Sequence, residues 1–195
     1  GKSSISAYVA KNDVFKKAYG QFKDANLHSS TYTGFGEETA TALEAISIML
    51  EDDYVSKSKK IFNIINPSLI KLKEKFPNVI KEVRGSGTMH GIVIYPPIKL
   101  LDKILDKTPY AIAKDKYNVF SQIVIASIME EMYSSFNILT IPQDRMIKKE
   151  DGSIERFAYL AIKPSCIVSE DEINYFLESL EKTLDKGVIN LIKNF

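Results

Sequence analysis

The spacing of apolar residues changes near residue 78, and this change limits the folds that the chain can adopt. Between residues 36 and 76 the apolar residues recur every three or four positions, which is typical of helices that bury one face. From residue 79 to residue 95 they follow the pattern of two short strands around the sequence GSG. Helices therefore have to pack against a sheet, which predicts an α/β or α+β fold in two layers.

The first half of the chain carries three predicted helices, over residues 12–20, 36–51 and 54–76. Asn12 or Asp13 is expected to cap the first of them and Gly20 to end it. The first turn of the second contains two glutamates, which the positive end of the helix dipole favours. Pro67 is expected to kink or split the third helix, because proline lacks the backbone N–H that a helix interior uses.

The second half alternates helices with strands. Strands are predicted over residues 79–84 and 89–95, in NILTIPQ up to Pro142, and in RFAYLAIKP after an EDGS turn. Apolar residues fill 116–134, which predicts a buried helix, and residues 98–115 fit neither pattern. The last helix is the clearest, because Ser169 can cap it, Glu172 can complete a capping box and Gly187 can end it.

Composition narrows the class of protein. The 195 residues suit one domain, or one domain with part of another, and a net charge of +1 favours neither nucleic acid nor a strongly basic partner. The one cysteine, Cys166, excludes an internal disulfide and a multi-cysteine zinc site, and a reducing, cytoplasmic location is expected. The longest apolar run, QIVIASIM, is too short to cross a bilayer, and the first residues do not resemble a signal peptide, so no membrane association is expected.

Six polar or hydroxyl-bearing residues stand in a row at positions 28–33, just before the second predicted helix. Hydroxyl groups and the free N–H groups of a helix start can together bind a phosphate. A solvated loop whose serine or threonine caps the helix explains the same pattern, and on local sequence alone it is the favoured interpretation. Two interpretations of this segment therefore remain, an anion-binding site and a helix cap.

The other candidates for chemistry have simpler explanations. His28 and His90 are far apart and have no carboxylate cluster, so a metal site is not expected. GSG at residues 85–87 lacks the spacing and lysine of a nucleotide loop, and a hairpin turn explains it better. Cys166 lies among apolar residues, which favours a buried structural thiol, and Lys2 is interpreted as a surface lysine.

Four blocks in order resemble the second half of a class III, pyridoxal-phosphate-dependent aminotransferase. They are LHSSTYTGFG, the helix ETATALEAISIML, the hairpin VRGSGTMHGIVI, and KPSCIVSEDEI at the start of the last helix. This family includes ornithine and acetylornithine aminotransferases and glutamate-1-semialdehyde aminomutase. The resemblance implies fold type I: residues 1–52 would end a large cofactor-binding domain, and residues 53–195 would form the small C-terminal α+β domain.

The resemblance also implies a cofactor and its contacts. The threonine of the family's His-x-Ser-Thr loop reaches the phosphate of pyridoxal 5'-phosphate in the neighbouring subunit of a homodimer, and the matching residue here is Thr31, with Ser30 beside it. The lysine that forms the Schiff base is expected upstream of Gly1, because Lys2 does not match it. The chain would then supply a phosphate-binding loop and would need the N-terminal half of the enzyme.

Two departures from the family bear on substrates, which the resemblance implies are a small amine donor and a carbonyl acceptor. Glu37 and Glu38 follow the loop where the family has Gly-Gly-Asn-Pro, and Ala161 stands where many members have an arginine that holds a substrate carboxylate. Alternatives that remain open are an aminomutase of the glutamate-1-semialdehyde type and a non-catalytic dimerisation or binding module. If the large domain is absent, the apolar face of residues 36–51 is expected to drive self-association.

Overall fold

The computed structural model describes residues 4–24, 31, 34–95 and 116–195, so the predictions for Lys2, His28, Ser30 and residues 98–115 fall outside the described residues. The chain divides into two compact units, Gly1–Tyr54 and Val55–Phe195. The assignment of the first unit to the end of a larger domain stays a prediction.

The first unit consists of short helical elements. Helix α1 spans Asn12–Tyr19, a single 3-10 turn spans Phe22–Asp24, and helix α2 spans Gly36–Glu51, as the apolar spacing predicted. The predicted cap of α1 was wrong: Lys11 holds the N-cap position in an extended conformation without a side-chain hydrogen bond, because Asn12 is already helical. None of the residues in these elements is buried.

Helix α3 spans Tyr54–Lys75 and is one continuous element, so the expectation that Pro67 would split it was wrong. Its buried residues lie on both sides of the proline and include Ile65 and Leu69, which anchor the two halves of the helix in the same core. The hydroxyl of Ser68, the residue after the proline, donates a hydrogen bond of 3.0 Å to the carbonyl oxygen of Ile64, one turn earlier in the helix. Burial of one face thus outweighs the hydrogen bond that proline removes.

Two strands follow, β1 at Ile80–Ser86 and β2 at Met89–Ile94, and they form the predicted hairpin. Gly87 takes a φ of 57° in the turn, a conformation that glycine adopts readily. Helix α4 spans Lys116–Phe136 and ends before Asn137, whose φ is 56°.

The third predicted strand was placed too early. Residues 137–140 connect α4 to strand β3, which spans Ile141–Lys148 and continues through Pro142. The strand order is β1-β2-β4-β3, so β3 lies at an edge of the sheet, where proline is tolerated in a strand. A turn at Asp151 and Gly152 leads to β4 at Ile154–Ile162, as predicted.

Helix α5 spans Glu170–Asp185 and begins with the predicted capping box. The Ser169 hydroxyl accepts a hydrogen bond from the Glu172 N–H at 3.2 Å, and the Glu172 carboxylate accepts one from the Ser169 N–H at 2.8 Å. The Ser169 N–H and the Ser169 hydroxyl, which also donates to this carboxylate at 2.8 Å, lower the pKa of Glu172. Gly187, with a φ of 79°, separates α5 from a short helix α6 at Val188–Asn194, which the sequence patterns did not predict.

The four strands form one antiparallel sheet, and one of its faces shares a core with the helices of the second unit. Core residues come from α3, α4, α5 and α6 as well as from three strands; they include Leu69, Ile92, Ile125, Ile128, Leu160, Leu180 and Leu191. At the surface, the Lys75 ammonium of α3 forms salt bridges with two carboxylates of α5, that of Glu181 at 2.8 Å and that of Asp185 at 2.9 Å. The second unit is therefore a two-layer α+β domain.

Candidate functional site

Thr31 lies in a turn ahead of α2 and its side chain is exposed, while its predicted partner Ser30 lies outside the described residues. Five residues later the backbone enters α2. Phe35 holds the N-cap position with φ of −63° and ψ of 118°, and its own side chain makes no capping hydrogen bond. Apart from Thr31, the hydroxyl-bearing residues of the segment lie outside the described residues, so the capping interpretation stays a prediction.

The first turn of α2 contains both donors and negative charge. Backbone N–H groups in the first turn of a helix lack partners within the helix, and here no N-cap side chain replaces them. Glu37 is exposed in the same turn, and one carboxylate oxygen of Glu38 is shielded from solvent without a hydrogen-bonding partner among the described residues. Thr39 and Thr41 use their hydroxyls inside the helix, donating to the carbonyls of Phe35 and Glu37.

The chemistry available at this end of α2 combines hydrogen-bond donors that suit an anion with two carboxylates that oppose one. Thr31 offers one hydroxyl, and the first turn offers backbone N–H groups. The glutamates disfavour any anion close to their carboxylates, so a phosphate would have to bind on the Thr31 side of the turn. Thr31 and the first turn of α2 thus offer donors that a phosphate could use, while the role of the segment stays a prediction.

Ala161 lies in the second unit, near the end of β4. It pairs with Gly91 of β2 on one side and with Ile141 of β3 on the other, and its side chain is buried. A Cβ placed on Gly91 would lie 2.9 Å from the Tyr159 ring, so glycine leaves the room that this aromatic side chain uses. The sheet around Ala161 therefore offers small and aromatic side chains rather than a cation.

One arginine, on β1, lies in the same row of paired residues across the sheet as Gly91 and Ala161. Arg84 pairs with Gly91, and its guanidinium makes two hydrogen bonds of 2.7 Å to the Glu82 carboxylate. The pair lowers the pKa of Glu82, and the guanidinium also lies 5.0 Å from the centre of the Phe157 ring. Arg84 is thus already neutralised by a carboxylate on its own strand.

His90 is a buried histidine whose environment the sequence analysis did not predict. Its ring is 4% exposed and stacks on Phe62 of α3, with ring centres 5.5 Å apart. Neither ring nitrogen has a hydrogen-bonding partner among the residues that the structure describes, and burial lowers the pKa of His90 more than the nearby backbone of Thr88 raises it. The ring is therefore neutral at pH 7 and serves packing.

The glycine opposite His90 explains how the ring fits. Gly85 pairs with His90 across the hairpin, and a Cβ on Gly85 would lie 2.4 Å from the imidazole Cδ2. The sequence contained the information for the pairing of Gly85 with His90, because a two-residue turn after Ser86 sets the register of the two strands. GSG predicted the turn, but only Gly87 lies in the turn itself, whereas Gly85 and Ser86 belong to β1.

Other predictions at single residues had mixed outcomes. Cys166 is half-buried rather than buried, because the segment that carries it runs between β4 and α5 outside the core. Within the described ranges no group of histidine, cysteine or acidic residues could hold a metal ion. Of the helices that the structure describes, none is both long and apolar enough to span a membrane.

Comparison with known proteins shows that the chain is similar to aminotransferases. The family model described as "Aminotransferase class-III" matches residues 1–110. An uncharacterized aminotransferase of Schizosaccharomyces pombe is 26% identical over 162 residues, which cover 80% of this chain and 34% of that protein. The acetylornithine aminotransferase of Agrobacterium fabrum is 31% identical over 68 residues, which cover 35% of this chain and 17% of that enzyme.

Solved structures share the fold. A transaminase from the marine bacterium Virgibacillus superposes with a TM-score of 0.55 at 16% identity, covering 93% of this chain and 34% of that one. At this level of identity the likeness concerns the fold alone. The chain thus spans about a third of the length of the Schizosaccharomyces relative and of the Virgibacillus structure, and less of the Agrobacterium enzyme.

Proposed function

Because the chain belongs to the class-III aminotransferase family, we propose that it forms part of a pyridoxal-phosphate-dependent aminotransferase. The complete protein would move an amino group from a small amine donor to a carbonyl acceptor. This chain would supply the phosphate-binding segment around Thr31 and Ser30 and a small C-terminal domain. Its contribution is positioning, and the Schiff-base lysine is proposed to lie outside these 195 residues.

The observation that carries the proposal is the family match over residues 1–110, which includes the hydroxyl-rich segment and the start of α2. The exposed Thr31 and the helix start that follows it support the proposal, because a hydroxyl and the N–H groups of a helix start suit a phosphate. Neither group adds a positive charge.

When bound, pyridoxal phosphate supplies the electron sink for the amino-group transfer. The proposed task of Thr31 is to hold the phosphate of cofactor in the neighbouring subunit by a hydrogen bond to a charged oxygen. Ser30 assists from the same segment. Glu37, exposed in the next turn, lies where it would disfavour an additional anion beside the phosphate.

The small domain would bear on substrate choice at Ala161. Its methyl group cannot bind a carboxylate, and Arg84, the nearest arginine along the sheet row, is occupied by Glu82. We therefore expect that the complete enzyme does not hold an α-carboxylate at this strand. Its substrates would be amines, aldehydes, carrier-bound acyl groups, or acids held by the other domain.

The proposed assembly is a homodimer, since the phosphate contact runs from one subunit to the next. The test uses the complete protein that contains this chain, with Thr31→Ala compared with Thr31→Ser. Loss of one hydrogen bond to a charged group should weaken cofactor binding by roughly 0.5–3 kcal/mol in the alanine variant, and the serine variant should retain most of the affinity. Equal cofactor affinity in all three proteins would exclude the assigned role of Thr31.

A second measurement addresses the 195-residue chain alone. It is expected to show no transaminase activity and no covalent attachment of pyridoxal phosphate. Peptide mapping after borohydride reduction checks this. Stoichiometric labelling at Lys2 would show that the position of the chain relative to the family is misassigned. Activity of the complete protein together with an inactive single chain would exclude the alternative of a non-catalytic module.

A further inference from the structure

Strand β3 has one edge that no strand of the described sheet covers. The strand order β1-β2-β4-β3 pairs β3 with β4 on one side only. From Asp144 to Lys148 every residue is exposed, so this half of the strand lies open to solvent beyond the core. An exposed strand edge is a template for pairing with another chain.

The hydrogen bonds of the β3–β4 hairpin show which backbone groups face this edge. At the turn, the Lys149 N–H donates to the Ser153 carbonyl oxygen at 2.8 Å, so these two residues form a hydrogen-bonded pair. Such pairs alternate with non-bonded pairs along an antiparallel ladder, and the register of β3 and β4 is regular throughout. The N–H and C=O groups of Asp144, Met146 and Lys148 therefore point away from β4.

Pro142 fits this assignment. It belongs to the same set of alternate residues, so the N–H that proline lacks would have faced the open edge. The ladder between β3 and β4 thus loses no bond at the proline. The part of the edge that can donate and accept hydrogen bonds begins after Pro142, in the exposed half of the strand.

The side chains of this half are complementary to a second copy of themselves. When two copies of β3 pair antiparallel about a two-fold axis through Met146, the Asp144 carboxylate of each copy lies opposite the Lys148 ammonium of the other. The two Met146 side chains, each 60% exposed, meet at the centre. One face of the paired strands then carries two pairs of unlike charge around an apolar contact.

Charge also selects this register over its neighbours. Opposite residues of a sheet share a face, so the axis has to pass through a residue. An axis through Asp144, Arg145 or Lys148 places two identical charges opposite each other, and an axis through Ile147 places Arg145 opposite Lys149. Charged side chains usually keep strand edges apart, but in the register centred on Met146 they attract.

We propose that the exposed half of β3 is a self-association surface, at which a second copy of the chain adds its own β3 antiparallel in the register centred on Met146. The outward backbone groups of the two strands bond across the axis, and the two sheets become one. The contact is small, so the association is weak and decreases with salt. It uses the second unit alone and is independent of the dimer contact proposed for Thr31.

The test exchanges the two charges. Asp144→Lys and Lys148→Asp each place like charges opposite each other in a pair of identical copies. Each should weaken self-association of the 195-residue chain about tenfold at low salt in sedimentation equilibrium. An equimolar mixture of the two variants should associate as the wild type does, because unlike charges then meet between different copies. Lys193→Asp makes the same charge change at an exposed lysine of α6 and should leave the association unchanged.

Hydrogen exchange of backbone amides locates the contact. As the wild-type concentration rises, the N–H groups of Asp144, Met146 and Lys148 should become protected, while that of Arg145, which faces β4, should change little. Association through α2 would protect none of these amides and would not respond to the charge variants. The proposal is overturned by equal association of wild type and both variants, by a mixture no stronger than either variant alone, or by amide protection that does not rise with concentration.

Discussion

Helices α2 and α3 have similar apolar spacing but different surroundings. In α2, of the first unit, Leu43 is 66% exposed and Leu50 is 74% exposed. In α3, of the second unit, Leu69 is fully buried and Ile65 is 1% exposed. The same spacing therefore predicts a helix in both cases but does not predict burial, which depends on whether another element covers the apolar face.

The difference also locates the stability of the chain. The second unit encloses a core that is shared by helices and a sheet face, whereas no residue in the helical elements of the first unit is buried. Most of the free energy of folding should come from the second unit. Self-association through the exposed apolar side chains of α2 stays a prediction.

The largest effect is expected from matched leucine truncations in the two helices. Leu69→Ala should lower the free energy of unfolding by about 2–5 kcal/mol, because it leaves a cavity in the core. Leu43→Ala should change it by no more than about 0.5 kcal/mol, because the side chain is exposed. Urea denaturation followed by circular dichroism measures both. Similar losses in the two variants would show that a partner, such as a second copy of the chain, covers α2.

A smaller effect is expected from matched glycine substitutions. Gly85→Ala should destabilise the second unit by about 1–3 kcal/mol, because the new Cβ would lie 2.4 Å from a ring atom of His90 and 2.8 Å from the Met89 carbonyl oxygen. Gly36→Ala meets no atom within 4 Å and should be neutral or slightly stabilising at the start of α2. The same denaturation curves test the pair. A neutral Gly85→Ala would mean that His90 is not packed against this glycine.

The sequence predicted elements well where local chemistry decides the structure. The capping box of Ser169 and Glu172, the extent of α2 and the β1–β2 hairpin were all confirmed, because caps, periodicity and turn residues act over a few positions. The class of the fold followed from the same patterns. The position of β3 did not, because Pro142 is acceptable only at a sheet edge, and strand order is a property of the whole sheet.

The candidate sites divide in the same way. The motif around Thr31 was recognisable because it is a contiguous run of residues, and its role stays a prediction. The surroundings of His90 depend on a residue that is distant in sequence, Phe62. No local pattern predicts that those side chains meet, although the hairpin register alone could have paired Gly85 with His90.

The N-caps of two helices provide the next comparison, in which the expected change in the free energy of unfolding is about 1 kcal/mol. Ser169→Ala should destabilise the second unit by about 0.5–2 kcal/mol, because the hydroxyl accepts a hydrogen bond from the first turn of α5. Lys11→Ser should have the opposite effect in the first unit, raising helicity, because the N-cap of α1 has no side-chain hydrogen bond. Far-ultraviolet circular dichroism and denaturation measure the two changes. An unaltered midpoint for Ser169→Ala would mean that the cap contributes nothing to the folded state.

The smallest effect at neutral pH concerns His90, because it develops only on acidification. Burial lowers the pKa of His90 below its usual 6.5 in the folded chain, so below pH 6.5 the unfolded chain binds more protons than the folded one. The contribution of His90 to stability is therefore complete above pH 6.5 and decreases as the pH falls towards its lower, folded-state pKa.

His90→Phe, which preserves an aromatic ring against Phe62, should flatten the dependence of the urea midpoint on pH in this range. His28→Gln is the matched control, since the chain has two histidines, and it should leave the acid-side slope of the wild type unchanged. Equal slopes in wild type and His90→Phe would show that the imidazole can be protonated without loss of packing, for example by turning a ring nitrogen to water at the hairpin.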